Sequence, residues 1–548
     1  MTACVVSGHP FLRNWVIEER DFDTGENTPT ALNGHGTSVA GLVIYGSIAE
    51  CLENRKWEPK VNICSAKVWR NAPDWGAIIP DEHRAEKITE DAIRYFAKER
   101  QCKVFNLSLE NEGEVYRGGR QFPWAEKLDE LARELDIVIV LITGNRSDPP
   151  LPEKVYTREQ FQKAILKQIL DDQDQRICNP GTAALALTVG ALARSDALGH
   201  HEQYGGLRLK DALPGAPANA PAPFTRTGTG YSFGSTNGAI KPDLVDYGGN
   251  AAIQVIAGLK PRWVSNHILL GEPTLSLEKN GRFIGACAGT SFASPHVAHA
   301  AAIAAASLET AIKQKPSANL IRALVGSASV SPPCPQDWLG DEEETLRLVG
   351  YGMCSVDDLT WSKRNRVRLV AMDEIEVDKL HIYRVAIPDI FLSTPGRRGI
   401  TVALAYDPPV RAIRKEYLAN NMGVEALQGL TAQEVERYRS RRTAEDTGNL
   451  PSGAEIDMRP SKTRLQWSTL QVRRKEWKRK PALRIPTGET EPVIHFVIGC
   501  QQRFPTGLDI KQGYGLVVLF WHEAEQIELY QSLQNRVTLR ATRLRVTV

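Results

Sequence analysis

Residues 288–298 read Ala288-Gly289-Thr290-Ser291-Phe292-Ala293-Ser294-Pro295-His296-Val297-Ala298, and an alanine-rich run continues to Ala306. The run reads as a buried helix, because alanine is the strongest helix former and brings no polar atoms into a core. Pro295 lies early enough to be tolerated in a first turn. Ser291 therefore falls at or just before a helix N-terminus, where unpaired N–H groups and the helix dipole favour negative charge. A serine there is either a plain N-cap or a nucleophile whose intermediate is an oxyanion. A lone serine favours the cap, so the rest of the chain has to decide.

Two more segments stand out. Asn33-Gly34-His35-Gly36-Thr37-Ser38-Val39-Ala40-Gly41 sets a histidine between two glycines at the start of an apolar helix through Tyr45. Ile142-Thr143-Gly144-Asn145 closes the apolar run Ile137 to Ile142. Between and around them strands and helices alternate. Val61–Trp69, Lys103–Leu109, Ile137–Ile142, Thr182–Leu192 and Ile253–Leu259 read as strands. His83–Lys98, with Ile88, Ala92 and Phe96 at helical spacing, and Trp124–Leu135 read as helices. Such alternation implies right-handed crossovers and a parallel sheet.

The serine segment closely resembles the Gly-Thr-Ser-x-Ala-Ser-Pro-His-Val-Ala box of the subtilisin-like serine proteases, the subtilases. Residues 33–41 resemble the family's histidine box, and Ile142 to Asn145 the strand end that carries its oxyanion-hole asparagine. The order His35, Asn145, Ser291 is the family order, and three motifs in order are far more specific than one. Gly8-His9-Pro10-Phe11-Leu12, Thr188-Val189-Gly190-Ala191 and Lys241-Pro242-Asp243-Leu244 add further matches. The resemblance covers roughly the first 350 residues and implies a three-layer α/β domain around a parallel sheet. It implies Ser291 as nucleophile, His35 as base and Asn145 as oxyanion donor. It also implies Ser108, Leu109 and Gly144 as substrate-binding positions, on the strand Asn106-Leu107-Ser108-Leu109 and the loop before Asn145. Glu110 stands where the family has glycine, which changes the shape of the primary pocket.

The family's triad aspartate is the point of departure. It belongs at the end of a buried first strand, some thirty residues before the histidine, which here is the very start of the chain. The first aspartate is Asp21. Asp23-Thr24-Gly25 spells the family's Asp-Thr-Gly, but it lies only twelve residues before His35 and follows Glu18-Glu19-Arg20-Asp21. That context suits a turn. Asp23 stays a candidate acid beside three alternatives: a first strand missing from this sequence, a lost acid, or another carboxylate in its place.

Residues 146–178 are charged and helical and read as an insertion. Ala212–Pro223, rich in Pro and Ala, reads as a surface loop. Asn319–Ala328 reads as the helix closing the first domain, with the boundary near Gly350. Beyond it the period changes to two: Val367–Ala371, Leu380–Ile387, Ile400–Tyr406, Val493–Ile498, Leu516–Trp521, Ile527–Leu533 and Val537–Val546 read as strands. With a helical insertion over 410–442, residues 351–548 read as a mostly β, sandwich-like domain. The basic run Arg473 to Lys480, near Trp467 and Trp477, reads as a solvated strand edge rather than a nucleic-acid patch.

Composition agrees with a soluble globular protein of two or more domains. The 548 residues are too many for one ordinary core. Hydrophobic residues make up 42% and charged residues 24%, and the net charge of +2 asks for no polyanionic partner. Nine cysteines without Cys-x-x-Cys spacing point away from a disulfide framework or a zinc site and towards a reducing, cytoplasmic setting. The opening Met1-Thr2-Ala3-Cys4 lacks a secretory pattern, and no apolar run outside the serine helix is long enough to cross a bilayer. The expectation is an intracellular serine endopeptidase acting on protein or peptide substrates without a cofactor; calcium enters only through the resemblance. The alternative is a binding module on the same fold, inactive or weakly active for want of the aspartate.

Overall fold

The structure, a computed structural model, describes residues 5–22, 25, 34–72, 76–79, 84–152, 157–197, 203–204, 207–208, 212–232, 238–254, 260–264, 267–277, 282–334, 336–360, 363–414, 416–440, 450–504 and 511–534. The chain divides into two compact units. The first comprises Met1–Lys313 and Ser329–Val356, the second Gln314–Ala328 and Asp357–Val548.

In the first unit β1 (Val16–Asp21) leads to α1 (His35–Tyr45), then β2 (Ile63–Lys67), α2 (Ala85–Glu99), β3 (Val104–Leu107), α3 (Pro123–Glu134) and β4 (Val138–Ile142). Next come α4 (Arg158–Asp171), β5 (Leu187–Leu192), β6 (Leu244–Tyr247), β7 (Glu272–Leu275), β8 (Ile284–Cys287) and the long α5 (Thr290–Ile312). Every residue of β4 and β5 is buried, as a strand covered on both faces requires. The amphipathic α2 and α3 cover one side: Ile88, Ala92, Phe96, Trp124, Leu128 and Leu131 share a core with Phe105, Leu107, Ile139 and Leu141. The alanine-rich α5 lies on the other side.

The second unit owns α6 (Ala318–Ser327), which follows α5 in sequence. The chain then returns to the first unit for β9 (Ser329–Val330) and β10 (Met353–Cys354). These complete a six-stranded sheet of order β9-β10-β6-β5-β4-β3, parallel from β3 to β10, with β9 antiparallel. β1 and β2 form a separate parallel pair.

The remaining strands are β11 (Arg366–Ile375), β12 (Leu380–Ala386), β13 (Arg398–Tyr406), β14 (Asn420–Gln428), β15 (Leu470–Trp477), β16 (Val493–Gln502) and β17 (Gln512–His522). They form antiparallel sheets of order β11-β17-β13-β15 and β12-β16-β14. Val402, Leu404 and Val518 of the first sheet share one core with Val385, Val424 and Phe496 of the second, which makes a β-sandwich. α6 packs within this unit. All ten of its residues are buried, Arg322 donates to the Tyr406 carbonyl and Thr469 Oγ1, and a Cβ on Gly515 of β17 would stand 2.4 Å from the Leu320 backbone.

The α/β domain and the β-sandwich are thus as expected, and several local readings are corrected. Asn319–Ala328 closes the β unit, because its apolar surface is matched by β13 and β17. The helical reading of 410–442 fails at its centre. Asn420-Asn421-Met422-Gly423 is poor helix sequence, and Met422, Val424 and Ala426 alternate into the core as β14, leaving Ala432–Ser440 helical. Within Ile527–Leu533, Leu529–Gln534 is a helix, with Leu529 and Leu533 buried four residues apart on one face. Ala212–Pro223 is packed inside: Ala216, Ala220 and Ala222 are buried, and Asn250 bonds both N–H and C=O of Ala216. Val537–Val546 and Asp23 lie outside the described residues. Leu470–Trp477 is an edge strand, but Arg473 is buried, donating to the carbonyls of Val424, Met458 and Pro460.

Candidate active site

His35 is the first residue of α1. Gly34 caps that helix with φ +70°, a conformation that favours glycine, which accounts for the glycine before the histidine. α1 is fixed from behind: Ser38 Oγ donates to the Leu275 carbonyl at 2.7 Å, and Gly41 lies against the Leu275 side chain. The His35 ring meets Phe292 edge-on, centroids 5.6 Å apart. Burial lowers its pKa to about 4, so the imidazole is neutral at neutral pH and able to accept a proton.

Ser291 is the second residue of α5 and is buried. Pro295 is the sixth, inside the helix rather than in its first turn. Having no N–H, it leaves the Ser291 carbonyl without the usual donor four residues on. Ser108 Oγ fills that place, 3.1 Å from the Ser291 carbonyl oxygen and 3.1 Å from Ser294 Oγ. Ser108 thus supports the Ser291 backbone. Leu109 is buried in the core under α3. Both side chains are packed away, so only the local backbone remains to meet a substrate.

Asn145 joins the two halves. Its Oδ1 accepts from the Thr290 backbone N–H at 2.8 Å and from Thr290 Oγ1 at 3.1 Å, which sets the Asn145 amide against the residue before Ser291. Its Nδ2 donates to Glu110 Oε1 at 3.0 Å, and its backbone N–H lies 2.9 and 3.0 Å from the two Glu110 oxygens. Gly144, φ +99°, makes room: a Cβ there would stand 2.2 Å from Glu110 Oε2 and 2.9 Å from Arg226 Cδ. Arg226 donates to the Asn145 carbonyl at 2.9 Å, with its Nε 3.9 Å from Glu110 Oε2. The position of Glu110 was marked in sequence by the glycine it replaces. Arg226 carried no comparable signal.

Burial pushes the Glu110 carboxyl up to about 7, outweighing Arg226 and the Asn145 donors. A carboxyl raised on folding contributes stability that is complete below its unfolded value, about 4.5, and lost as pH rises through about 7. Glu110→Gln removes that titration. Denaturant titrations across this window should find the variant gaining on the parent by about 3 kcal/mol between the acid and alkaline ends. Parallel pH curves for the two proteins would contradict the assignment.

The other helix histidines are structural. His299 Nδ1 lies 2.7 Å from the Val43 carbonyl oxygen, tying α5 to α1. His296 Nε2 lies 3.4 Å from Glu272 Oε1, and Arg194 clamps both oxygens of that fully buried carboxylate at 2.6 and 2.9 Å. Burial works to lower the His296 pKa, but Asp246 and Glu272 raise it above its ordinary value. His9 is buried edge-on to Phe283. The Lys-Pro-Asp match is a staple: Asp243 Oδ2 accepts from Lys241 Nζ and from the Thr188 backbone N–H.

The subtilase family's sequence model matches residues 5–352. An uncharacterized protein, y4bN, of Sinorhizobium fredii (strain NBRC 101917 / NGR234) is 32% identical over 458 residues, spanning 82% of this chain and 98% of its own length. Similar solved structures include the prenylagaramide maturation protease PagA, 17% identical over 66% of this chain and 90% of that one, with a TM-score of 0.37. The patellamide maturation protease PatA is 17% identical over 66% and 93%, also with a TM-score of 0.37. The family match covers more than half of the chain and includes the histidine, asparagine and serine segments that converge at α1, β4 and α5; the chain belongs to the subtilase family.

Proposed function

We propose that this subtilase is a serine endopeptidase of the cytoplasm, cleaving protein or peptide substrates with Ser291, His35 and Asn145. The observation that carries the reading is the bond from Thr290 N–H to Asn145 Oδ1, which sets an amide donor beside the serine. Ser291 Oγ attacks the scissile carbonyl carbon while its proton passes to His35. The tetrahedral oxyanion takes hydrogen bonds from Asn145 Nδ2 and the Ser291 backbone N–H. The C–N bond then breaks, His35 gives the proton to the leaving amine, and water releases the acyl group by the same steps in reverse. The Ser108, Leu109 and Gly144 backbone is the proposed substrate edge.

One observation favours the rival reading of a weakly active binding module. Asn145 Nδ2 already gives one hydrogen to Glu110. An amide nitrogen has two, so one is left for an oxyanion. The two readings therefore differ in rate, and reaction with an active-site phosphonate separates them.

No helix among the described residues is long and apolar enough to cross a membrane. The described cysteines, Cys51 and Cys64 among them, are free thiols, which supports the cytoplasmic proposal. Among the described residues no three His, Cys, Asp or Glu side chains gather to hold an ion. The proposed reaction uses no cofactor, and calcium enters only through the family resemblance.

Asp23 is proposed not to be the triad acid, given its short spacing to His35 and its charged approach. Asp23→Ala should leave the rate of fluorophosphonate labelling within a few-fold of the parent. A loss near the ~10⁴ scale of triad aspartates, with the circular dichroism unchanged, would identify Asp23 as the acid.

A further inference from the structure

In the sheet β12-β16-β14, Met422 and Val424 of β14 and Phe496 and Ile498 of β16 turn into the sandwich core. Side chains alternate along a strand, so Asn421, Gly423 and Glu425, with Val497 and Gly499, lie on the outer face. The helix Ala432–Ser440 covers part of that face, where Val435 packs with Ile382, Leu427 and Val497. Beside it is a cavity of about 400 Å³, walled by β14, β16, the start of β12, Tyr438 and Arg439 of the helix, and Lys462, Thr463 and Gln466. Small-ligand sites run from about 300 to 1,000 Å³. Gly423 and Gly499 are paired across the floor, and a glycine within a strand often marks a place where something else comes close. Here the Lys462 stem and the Leu380 side chain lie over them. Glu425, 8% exposed, pairs with both Arg439 and Lys462, so one buried negative charge meets two positive ones. Asp378 and Lys379 add one charge of each sign to the lining, which leaves the surplus positive. Among the described residues, Arg439 Nε and Asn421 Oδ1 are buried without a hydrogen-bond partner. Buried polar atoms are almost always paired. A donor on a cation and an amide acceptor, both wanting partners in one wall, suit a ligand that carries an anionic acceptor and an N–H.

We propose that this cavity binds the C-terminal end of a peptide: an α-carboxylate, the N–H of the same residue and an apolar side chain. The carboxylate lies beside Arg439 and Lys462, where charge-assisted bonds are strongest. The N–H donates to Asn421 Oδ1, and the side chain rests on Leu380 and Val497. A free amino acid has the same carboxylate and side chain, but its ammonium brings a further positive charge to a wall that already has a surplus. The peptide end, with a neutral amide there, fits better. The site is built entirely from the β unit and does not rest on the peptidase reading.

The test is isothermal titration of the full-length Ser291→Ala chain, so that turnover at Ser291 cannot confuse binding. The probes are N-acetyl-alanyl-leucine, its C-terminal amide, and leucine. The acid should bind, the amide about tenfold or more weaker for want of the charge, and leucine weaker than the acid. Lys462→Gln changes a half-exposed side chain and should weaken the acid about tenfold while leaving the amide unchanged. Arg439→Gln should weaken the acid at least as much; where it lowers Tm, Lys462→Gln alone decides. No saturable binding of the acid at millimolar concentration overturns the site. So does equal binding of acid and amide, or undiminished binding by the Lys462→Gln chain. Leucine binding more tightly than the acid overturns the peptide end as the source of the carboxylate.

Discussion

Ser291→Ala is expected to abolish labelling by a fluorophosphonate probe and to lower any peptidase activity by about 10⁶, the scale known for triad serines. The loss should come without unfolding. The Oγ is not what holds the start of α5: the Ser291 carbonyl is held by Ser108 and the Thr290 N–H by Asn145. Circular dichroism and Tm should stay within the parent's range. Equal labelling of the two proteins would remove Ser291 from the reaction and with it the peptidase proposal. A large fall in Tm would show that the hydroxyl supports the fold, and the lost labelling would then say nothing specific about chemistry.

Cutting the chain after Gly350 should give an insoluble protein. Residues 1–350 retain α6 but lose β13 and β17, against which Leu320 and the buried Arg322 pack. Exposing Leu320, Ile321, Leu324 and Val325 forfeits about 1.5–3 kcal/mol each and leaves an apolar helix in water. The cut also removes β10, which pairs with both β6 and β9. A second chain, 1–356 with residues 314–328 replaced by a Gly/Ser linker, keeps the sheet and deletes the sticky helix, so it should be markedly more soluble. Sedimentation and thermal melts compare the two. If the 1–350 fragment is monomeric and melts with the parent, α6 does not depend on the β unit.

The candidate site was legible where short-range chemistry dictates it. Small residues around Ser291, glycines flanking His35 and an apolar strand ending at Gly144-Asn145 each follow from a local need: a tight helix start, a positive φ, a buried parallel strand. What was not legible depends on distant partners. Nothing in Asn319–Ala328 announces that its apolar face belongs to strands that begin at Arg398 and Gln512. Ile527–Leu533 contains enough apolar residues for either period, and tertiary packing of Leu529 and Leu533 decided for helix. Glu110 was visible as an anomaly, but its bonds to Asn145 needed Gly144 and Arg226 in place.

The placement of α6 also bears on how the protein is made. The chain leaves the first unit at Lys313, returns at Ser329 and leaves again after Val356. During synthesis α6 therefore emerges long before the strand whose Gly515 it rests against. At about 5–20 residues per second, the interval from Ser327 to Gln512 is on the order of 10–40 s. Through that time a largely apolar helix, its Arg322 not yet bonded to the later strands, hangs beside a nearly finished domain with nothing of its own to cover it. Nascent chains of this protein should thus depend on ribosome-associated holdases, and synonymous codon changes that slow translation between residues 330 and 510 should lower the soluble yield while leaving the sequence untouched.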